Sequence, residues 1–226
     1  MIEKNIVAIG GGGFGRSLGD LKIEKYIKSL VCKEKPKVCF IPTASGDNDL
    51  YKLNFYRAFS KLNCETSHID FFSRTENLEK KVLEQDIIYV GGGNTKSMLA
   101  VWKEWNFNNI LKIAYEKGIV MSGVSAGAIC WFNKGITDSF DEKLEIIDCL
   151  GLIDGIACPH YDEEKEREPF VINLIQNNKI NFCICIQGNC ALHVKNDHNF
   201  YSINFGNKKK SFKIYKNKDT LKKDYF

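Results

Sequence analysis

Short apolar runs that end abruptly in glycine or proline constrain this chain most. Ile6–Ile9 stops at Gly10–Gly13, Val38–Ile41 at Pro42, Ile87–Val90 at Gly91–Gly93, and Ile119–Ser122 at Gly123. A further strand is predicted over Thr66–Asp70. Between the runs lie stretches with apolar residues at helical spacing: Leu21–Val31, Leu50–Leu62, Leu78–Leu83, Lys96–Trp102 and Asn109–Lys117. Runs of four or five residues are too short for buried helices and suit strands covered on both sides. Strand and helix in alternation predict an α/β fold, a mostly parallel sheet with helices on both faces. After residue 140 the pattern weakens. A helix is expected over Glu163–Gln176, with strands at Ile180–Ile186, Cys190–Val194, Phe200–Phe205 and Phe212–Tyr215, some joined as antiparallel hairpins. No repeat or linker divides the chain, so residues 1–226 are expected to form a single domain.

In parallel sheets of this kind, sites form beyond the carboxyl ends of the strands. The glycine-rich segments therefore gather along one edge, and one of them carries chemistry. Gly123-Val-Ser-Ala-Gly-Ala128 places Ser125 between a strand and a helix expected to begin near Ala126. A serine hydroxyl is a weak nucleophile until a base takes its proton and donors hold the oxyanion that forms. A sharp strand-to-helix turn exposes such a hydroxyl, and flanking glycines relieve the crowding. The N–H of Ala126 then points toward the oxyanion, and Gly92 is the choice for the second donor. The alternative is a glycine turn that merely starts a helix.

The base should be a histidine. Of His68, His160, His193 and His198, His160 is preferred, because Cys-Pro-His-Tyr follows the apolar run Leu152–Cys158 at a strand end; His68 is its rival. A carboxylate should orient the imidazole. Asp138, thirteen residues past Ser125, is the choice, with Asp141 and Glu142 as competitors. Cys130 and Cys158 occupy no elbow, which disfavours a cysteine hydrolase.

Composition narrows the class. The net charge of +4 is uneven: Lys208–Phe226 carries a net +6, leaving the remainder at −2. Lysines clustered at one end read as a solvated tail or an edge strand, not as a groove for nucleic acid. Nine cysteines, an odd number without a Cys-x-x-Cys pair, several of them inside apolar runs, suit the reducing cytoplasm. No apolar run approaches membrane-spanning length. Gly10, Gly12 and Gly15 satisfy a dinucleotide-binding spacing, but the second strand ends in Ile-Pro-Thr-Ala-Ser without the acidic residue that would bind ribose. A silent small-molecule or dinucleotide-binding protein of the same architecture is thus the competing reading. No histidine–carboxylate spacing points to a metal, and no cofactor is expected.

Ile-Pro-Thr-Ala-Ser at 41–45, Val-Gly-Gly-Gly-Asn-Thr at 90–95, Gly-Val-Ser-Ala-Gly-Ala at 123–128 and Pro-His-Tyr at 159–161 together resemble the dipeptidase E family, which includes aspartyl dipeptidases and cyanophycinases. The resemblance covers roughly residues 5–195. It implies a flavodoxin-like three-layer fold similar to class I glutamine amidotransferase domains, with serine at the elbow. It implies Ser125 as nucleophile, His160 as base, Asp138 as carboxylate, and oxyanion donors from Ala126 and the Gly-Gly-Gly-Asn segment. It also implies a small peptide substrate, for which Asn94 and Arg167 are the candidate contacts. Two departures stand out. Asp162–Glu168 is mostly acidic, unlike the basic surroundings expected for aspartyl substrates. The chain also has Gln187-Gly188-Asn189 where the family often carries an acidic residue.

Overall fold

A computed structural model describes every residue except Met1, Glu142, Asn207 and Asp219. In chain order its elements are β1 (Asn5–Ile9), α1 (Lys22–Ser29), β2 (Lys37–Ile41), α2 (Asp49–Ser60), β3 (Glu65–His68), α3 (Leu78–Leu83), β4 (Ile87–Val90), α4 (Thr95–Glu104), α5 (Phe107–Glu116), β5 (Val120–Val124) and α6 (Ala126–Ile129). There follow β6 (Phe132–Thr137), β7 (Glu145–Asp148), β8 (Ile153–Cys158), α7 (Arg167–Gln176), β9 (Phe182–Ile186), β10 (Cys190–Lys195), β11 (Asn199–Asn204), β12 (Ser211–Asn217) and β13 (Thr220–Tyr225).

The larger sheet has the order β11-β10-β1-β5-β4-β2-β3. Its five N-terminal strands are parallel, and β10 and β11 extend it antiparallel beyond β1. Successive residues of the apolar runs feed opposite faces. Ile6, Ala8, Ile88 and Val90 meet Met98, Trp102, Phe107 and Leu111 of α4 and α5. Val7, Ile9, Ile87 and Tyr89 meet Ile23, Ile27, Phe55 and Phe59 of α1 and α2. Burial on both faces explains why these strands read as continuous apolar runs without alternation.

The chain does not end as one sheet with antiparallel additions. A second sheet forms, in the order β13-β12-β9-β8-β6-β7. One of its faces contributes Phe132, Ile153, Ala157 and Ile184 to the core that α4 and α5 cover. The other packs Ile136, Ile156, Cys183 and Cys185 against Val171, Leu174 and Ile175 of α7. The lysine-rich end forms the edge strand β13, paired antiparallel with β12, where charge discourages pairing with other chains. The expected helix over Glu163–Gln176 starts late, at Arg167. Pro169 falls in its first turn, where the missing N–H costs nothing, and Tyr161–Glu166 is irregular. Among the described residues no helix is long and apolar enough to cross a membrane.

Candidate active site

The two sheets meet where β1 ends, and consecutive carbonyls there hold both reactive segments. The N–H of Ser125 donates to Ile9 O at 3.0 Å, and the N–H of His160 to Gly10 O at 3.0 Å. Ser125 follows β5 of the larger sheet, and His160 follows β8 of the second. Both have positive φ, 58° and 51°. Such conformations cost on the order of 1–3 kcal/mol each in a non-glycine residue and persist only where the surroundings enforce them. At Ser125 the enforcement is visible. Its carbonyl accepts from the N–H groups of Ala128 and Ile129, at 2.9 and 3.1 Å, which starts α6. The flanking glycines let the elbow close: a Cβ on Gly123 would overlap the Gly127 carbonyl, and one on Gly127 the Val90 carbonyl.

A chain of hydrogen bonds results. Ser125 Oγ lies 2.8 Å from His160 Nε2, and His160 Nδ1 lies 2.7 Å from Glu163 Oε2. With Nδ1–H donated to the carboxylate, Nε2 is left to accept from the serine hydroxyl. His160 is only 7% exposed. Burial pushes the Glu163 carboxyl up, but hydrogen bonds from Arg16 and His160 outweigh it and hold it below the usual carboxylate range. Arg16 donates to Glu163 Oε1 at 2.5 Å. Gly11 and Gly188 leave room for this group: a Cβ on Gly11 would lie 2.5 Å from Glu163 Oε2, and one on Gly188 would overlap Glu163 Oε1. The turn at 187–189 thus carries no acid but opens the space that an acid from the 161–166 turn fills. Its Gly188 N–H donates to Asp162 Oδ1 at 2.9 Å.

Ser125, His160 and Ala126 lie together as expected, whereas the expected third residue does not join them. Asp138 follows β6 and lines a cavity of about 420 Å³ with Lys143, Leu144, Glu164, Glu166 and Phe170. Its neighbour Ser139 braces the glycine strand end, accepting from Thr95 N–H through Oγ and from Asn94 Nδ2 through its carbonyl. Neither Asp138 nor Asp141 bonds to His160 among the described residues, and Glu142 lies outside them. His68, the rival base, instead joins Tyr56 Oη at 2.6 Å beside Asp70.

The candidate substrate contacts are committed elsewhere. Asn94 caps α4, its Oδ1 accepting from Ser97 N–H at 2.8 Å. Arg167 is 2% exposed and donates to Glu164 at 2.6 Å and to the Ile136 carbonyl at 3.1 Å. Gly92 contributes room, since a Cβ there would lie 3.2 Å from Ser125 Cβ. Its N–H, expected to face an oxyanion, donates to Tyr51 Oη at 3.3 Å. Burial pushes the Tyr51 hydroxyl up to about 12, so it stays protonated at neutral pH. The N–H groups of Gly93 and Ala126 have no acceptor among the described residues. The dinucleotide spacing is not followed directly by a helix: α1 begins only at Lys22, seven positions past Gly15, and Gly11 walls the His160–Glu163 pair.

Residues 6–201 match peptidase family S51. The chain belongs to that family. It is 42% identical over 212 residues to the uncharacterized peptidase YgaJ of Bacillus subtilis (strain 168), covering 93% of this chain and 92% of the relative. The uncharacterized peptidase Lin0382 of Listeria innocua is 30% identical over 137 residues, covering 55% of this chain and 64% of the relative. Two solved structures share the fold. A putative peptidase E protein from Listeria monocytogenes EGD-e superposes with a TM-score of 0.70 at 20% identity, over 90% of this chain and all of that one. A peptidase from an acI-B1 actinobacterium gives 0.72 at 16% identity, over 99% and 93%. The S51 chain described here is therefore a peptidase by family.

Proposed function

We propose that this S51 peptidase is a serine hydrolase that cleaves small peptides through an acyl-enzyme, with Ser125 as nucleophile, His160 as base and Glu163 as the orienting carboxylate. The observation that carries this reading is the continuous run from Ser125 Oγ to His160 Nε2 at 2.8 Å and from His160 Nδ1 to Glu163 at 2.7 Å. In the first step Ser125 Oγ bonds to the peptide carbonyl carbon while its proton passes to His160 Nε2. The carbonyl oxygen becomes an oxyanion, held by the N–H groups of Ala126 and Gly93. The C–N bond then breaks, and His160 returns the proton to the leaving amine. Water attacks the ester, His160 takes its proton, and the acid leaves with Ser125 restored. Glu163 holds the tautomer throughout. The parallel order β3-β2-β4-β5-β1 with the elbow after β5 favours the wider likeness to class I glutamine amidotransferase domains. The core shared by both sheets favours one catalytic unit spanning 1–226. The packing of most of the nine cysteines as buried free thiols favours a reducing cytoplasm.

A fluorophosphonate probe tests the reading without knowledge of the substrate. The folded protein is expected to take one label, and Ser125→Ala to abolish it. A folded protein that takes no label would mark a silent binding module. A dipeptide library scored for released amine then defines the substrate.

A further inference from the structure

We propose that Arg16 is a positioning residue that fixes Glu163 for His160. The proposal rests on the hydrolase reading above and extends it to a residue in a distant loop. Glu163 stands on an irregular turn, its side chain 26% exposed and lodged between Gly11 and Gly188, so packing admits the carboxylate while its hydrogen-bond partners set which way each oxygen points. Its two oxygens are divided between two partners. Arg16 Nη1 takes Oε1 at 2.5 Å, and Oε2 is left for His160 Nδ1 at 2.7 Å.

The loop that carries Arg16 is itself anchored. Phe14 is 1% exposed, with ring centroids 5.0–6.0 Å from Phe40, Tyr51, Phe55, Phe59 and Tyr89. Its N–H donates to the buried Glu24 carboxylate at 2.7 Å, and the Arg16 N–H donates to Gly13 O at 2.9 Å. From this fixed base the guanidinium, half exposed, reaches across to the catalytic carboxylate.

A second contact makes the arrangement exacting. Arg16 Nη2 lies 3.2 Å from His160 Nδ1. A guanidinium only donates, so it competes with Glu163 for the state of Nδ1. The shorter, charge-assisted bond to Glu163 prevails and keeps the proton on Nδ1. Were the carboxylate neutralised, Arg16 would donate to a bare Nδ1 and trap the tautomer that cannot accept from Ser125. Arg16 therefore acts through Glu163, helping while the carboxylate is ionised and hindering once it is not.

The experiment measures the maximal rate and half-saturating concentration of fluorophosphonate labelling of the full chain across pH. Arg16→Gln is expected to lower the maximal rate about 10- to 100-fold, because misplacing a reacting group by ~1 Å costs ~10². The half-saturating concentration should hold. The acid limb of the profile should move to higher pH as Glu163 returns to the ordinary carboxylate range, and Arg16→Lys should recover part of the rate. In the Glu163→Gln background, Arg16→Gln should label no slower than Glu163→Gln alone. Thermal melting confirms that each variant is folded, and Arg16→Lys carries the test if Arg16→Gln is not. Wild-type labelling by Arg16→Gln, an additive loss in the double variant, or a change confined to half-saturation would each overturn the positioning role. An unlabelled wild type would instead bring down the hydrolase reading.

Discussion

Replacing Glu163 by glutamine exchanges one carboxylate oxygen for an amide NH₂ at almost constant volume, so it tests charge and direction without opening a cavity. The consequence follows from the two partners. Arg16 offers only donors, so it selects the amide oxygen at the position where it now meets Oε1, 2.5 Å away. The NH₂ is thereby turned toward His160 Nδ1, 2.7 Å from the present Oε2. An amide NH₂ cannot accept, so Nδ1 must give up its hydrogen and become the acceptor. The imidazole proton moves to Nε2, which faces Ser125 Oγ at 2.8 Å and can then no longer take the hydroxyl proton.

The lost ground is that of a triad locked in the wrong tautomer, about 10³- to 10⁴-fold in rate. That corresponds to about 4–5.5 kcal/mol of transition-state stabilisation. Asp138→Asn is the matched control and should label within about threefold of wild type, since Asp138 lies against the 420 Å³ cavity and not against His160. Stopped labelling followed by intact mass measures both. If Glu163→Gln labels like wild type while Asp138→Asn collapses, the assignment of the carboxylate is wrong.

Two further outcomes concern the scaffold. Gly127→Ala forces a methyl into the Val90 carbonyl and should cost at least about 1–3 kcal/mol by overpacking, with most of the labelling lost as the elbow shifts. Gly46→Ala, at φ 66° with open space around it, should cost only the left-handed penalty of about 1–2 kcal/mol and keep its labelling; a Gly127→Ala variant with the wild-type denaturation midpoint and full labelling would contradict the packing of the elbow. His193, between Tyr26 Oη at 2.8 Å and Asn5 Oδ1 at 2.9 Å, is held below its ordinary value of 6.5 by burial. The unfolded chain therefore binds this proton first, so stability is full above about pH 6.5 and falls as pH drops toward the folded value. Urea melts between pH 7.5 and 5 should show a shallower decline in His193→Gln, and an unchanged slope would rule out His193 as a source of it.

What could be read from the sequence follows the range of the interactions concerned. Four of the five parallel strands were legible because burial on both faces leaves an unmistakable apolar run, as in Ile87–Val90, where every residue is buried; the edge strand Glu65–His68 has no buried residue and no such run. Ser125 was legible because its conformation is set within six residues, by Gly123, Gly127 and the start of α6. His160 was legible as a strand end, since β8 stops two residues before it. The second sheet was legible only in part: the apolar runs of β8, β9 and β12 stood out, but Glu145–Asp148 and Thr220–Tyr225 are largely solvated, and their polar faces carry no period that a turn would lack. Glu163 was misread for a physical reason: its segment has the composition of a solvated helix, and only the left-handed turn at His160 bends residue 163 back beneath the imidazole. One sign of it was available: an acidic residue three positions beyond the histidine is within reach of its ring across a single turn. Arg16 offered no comparable sign. It reaches Glu163 across 147 positions of chain, because Phe14 is buried among aromatic rings on one face of the larger sheet while His160 hangs from the end of the other sheet. Side chains that complete a site across two sheets are specified by packing, and packing at that range leaves no local trace.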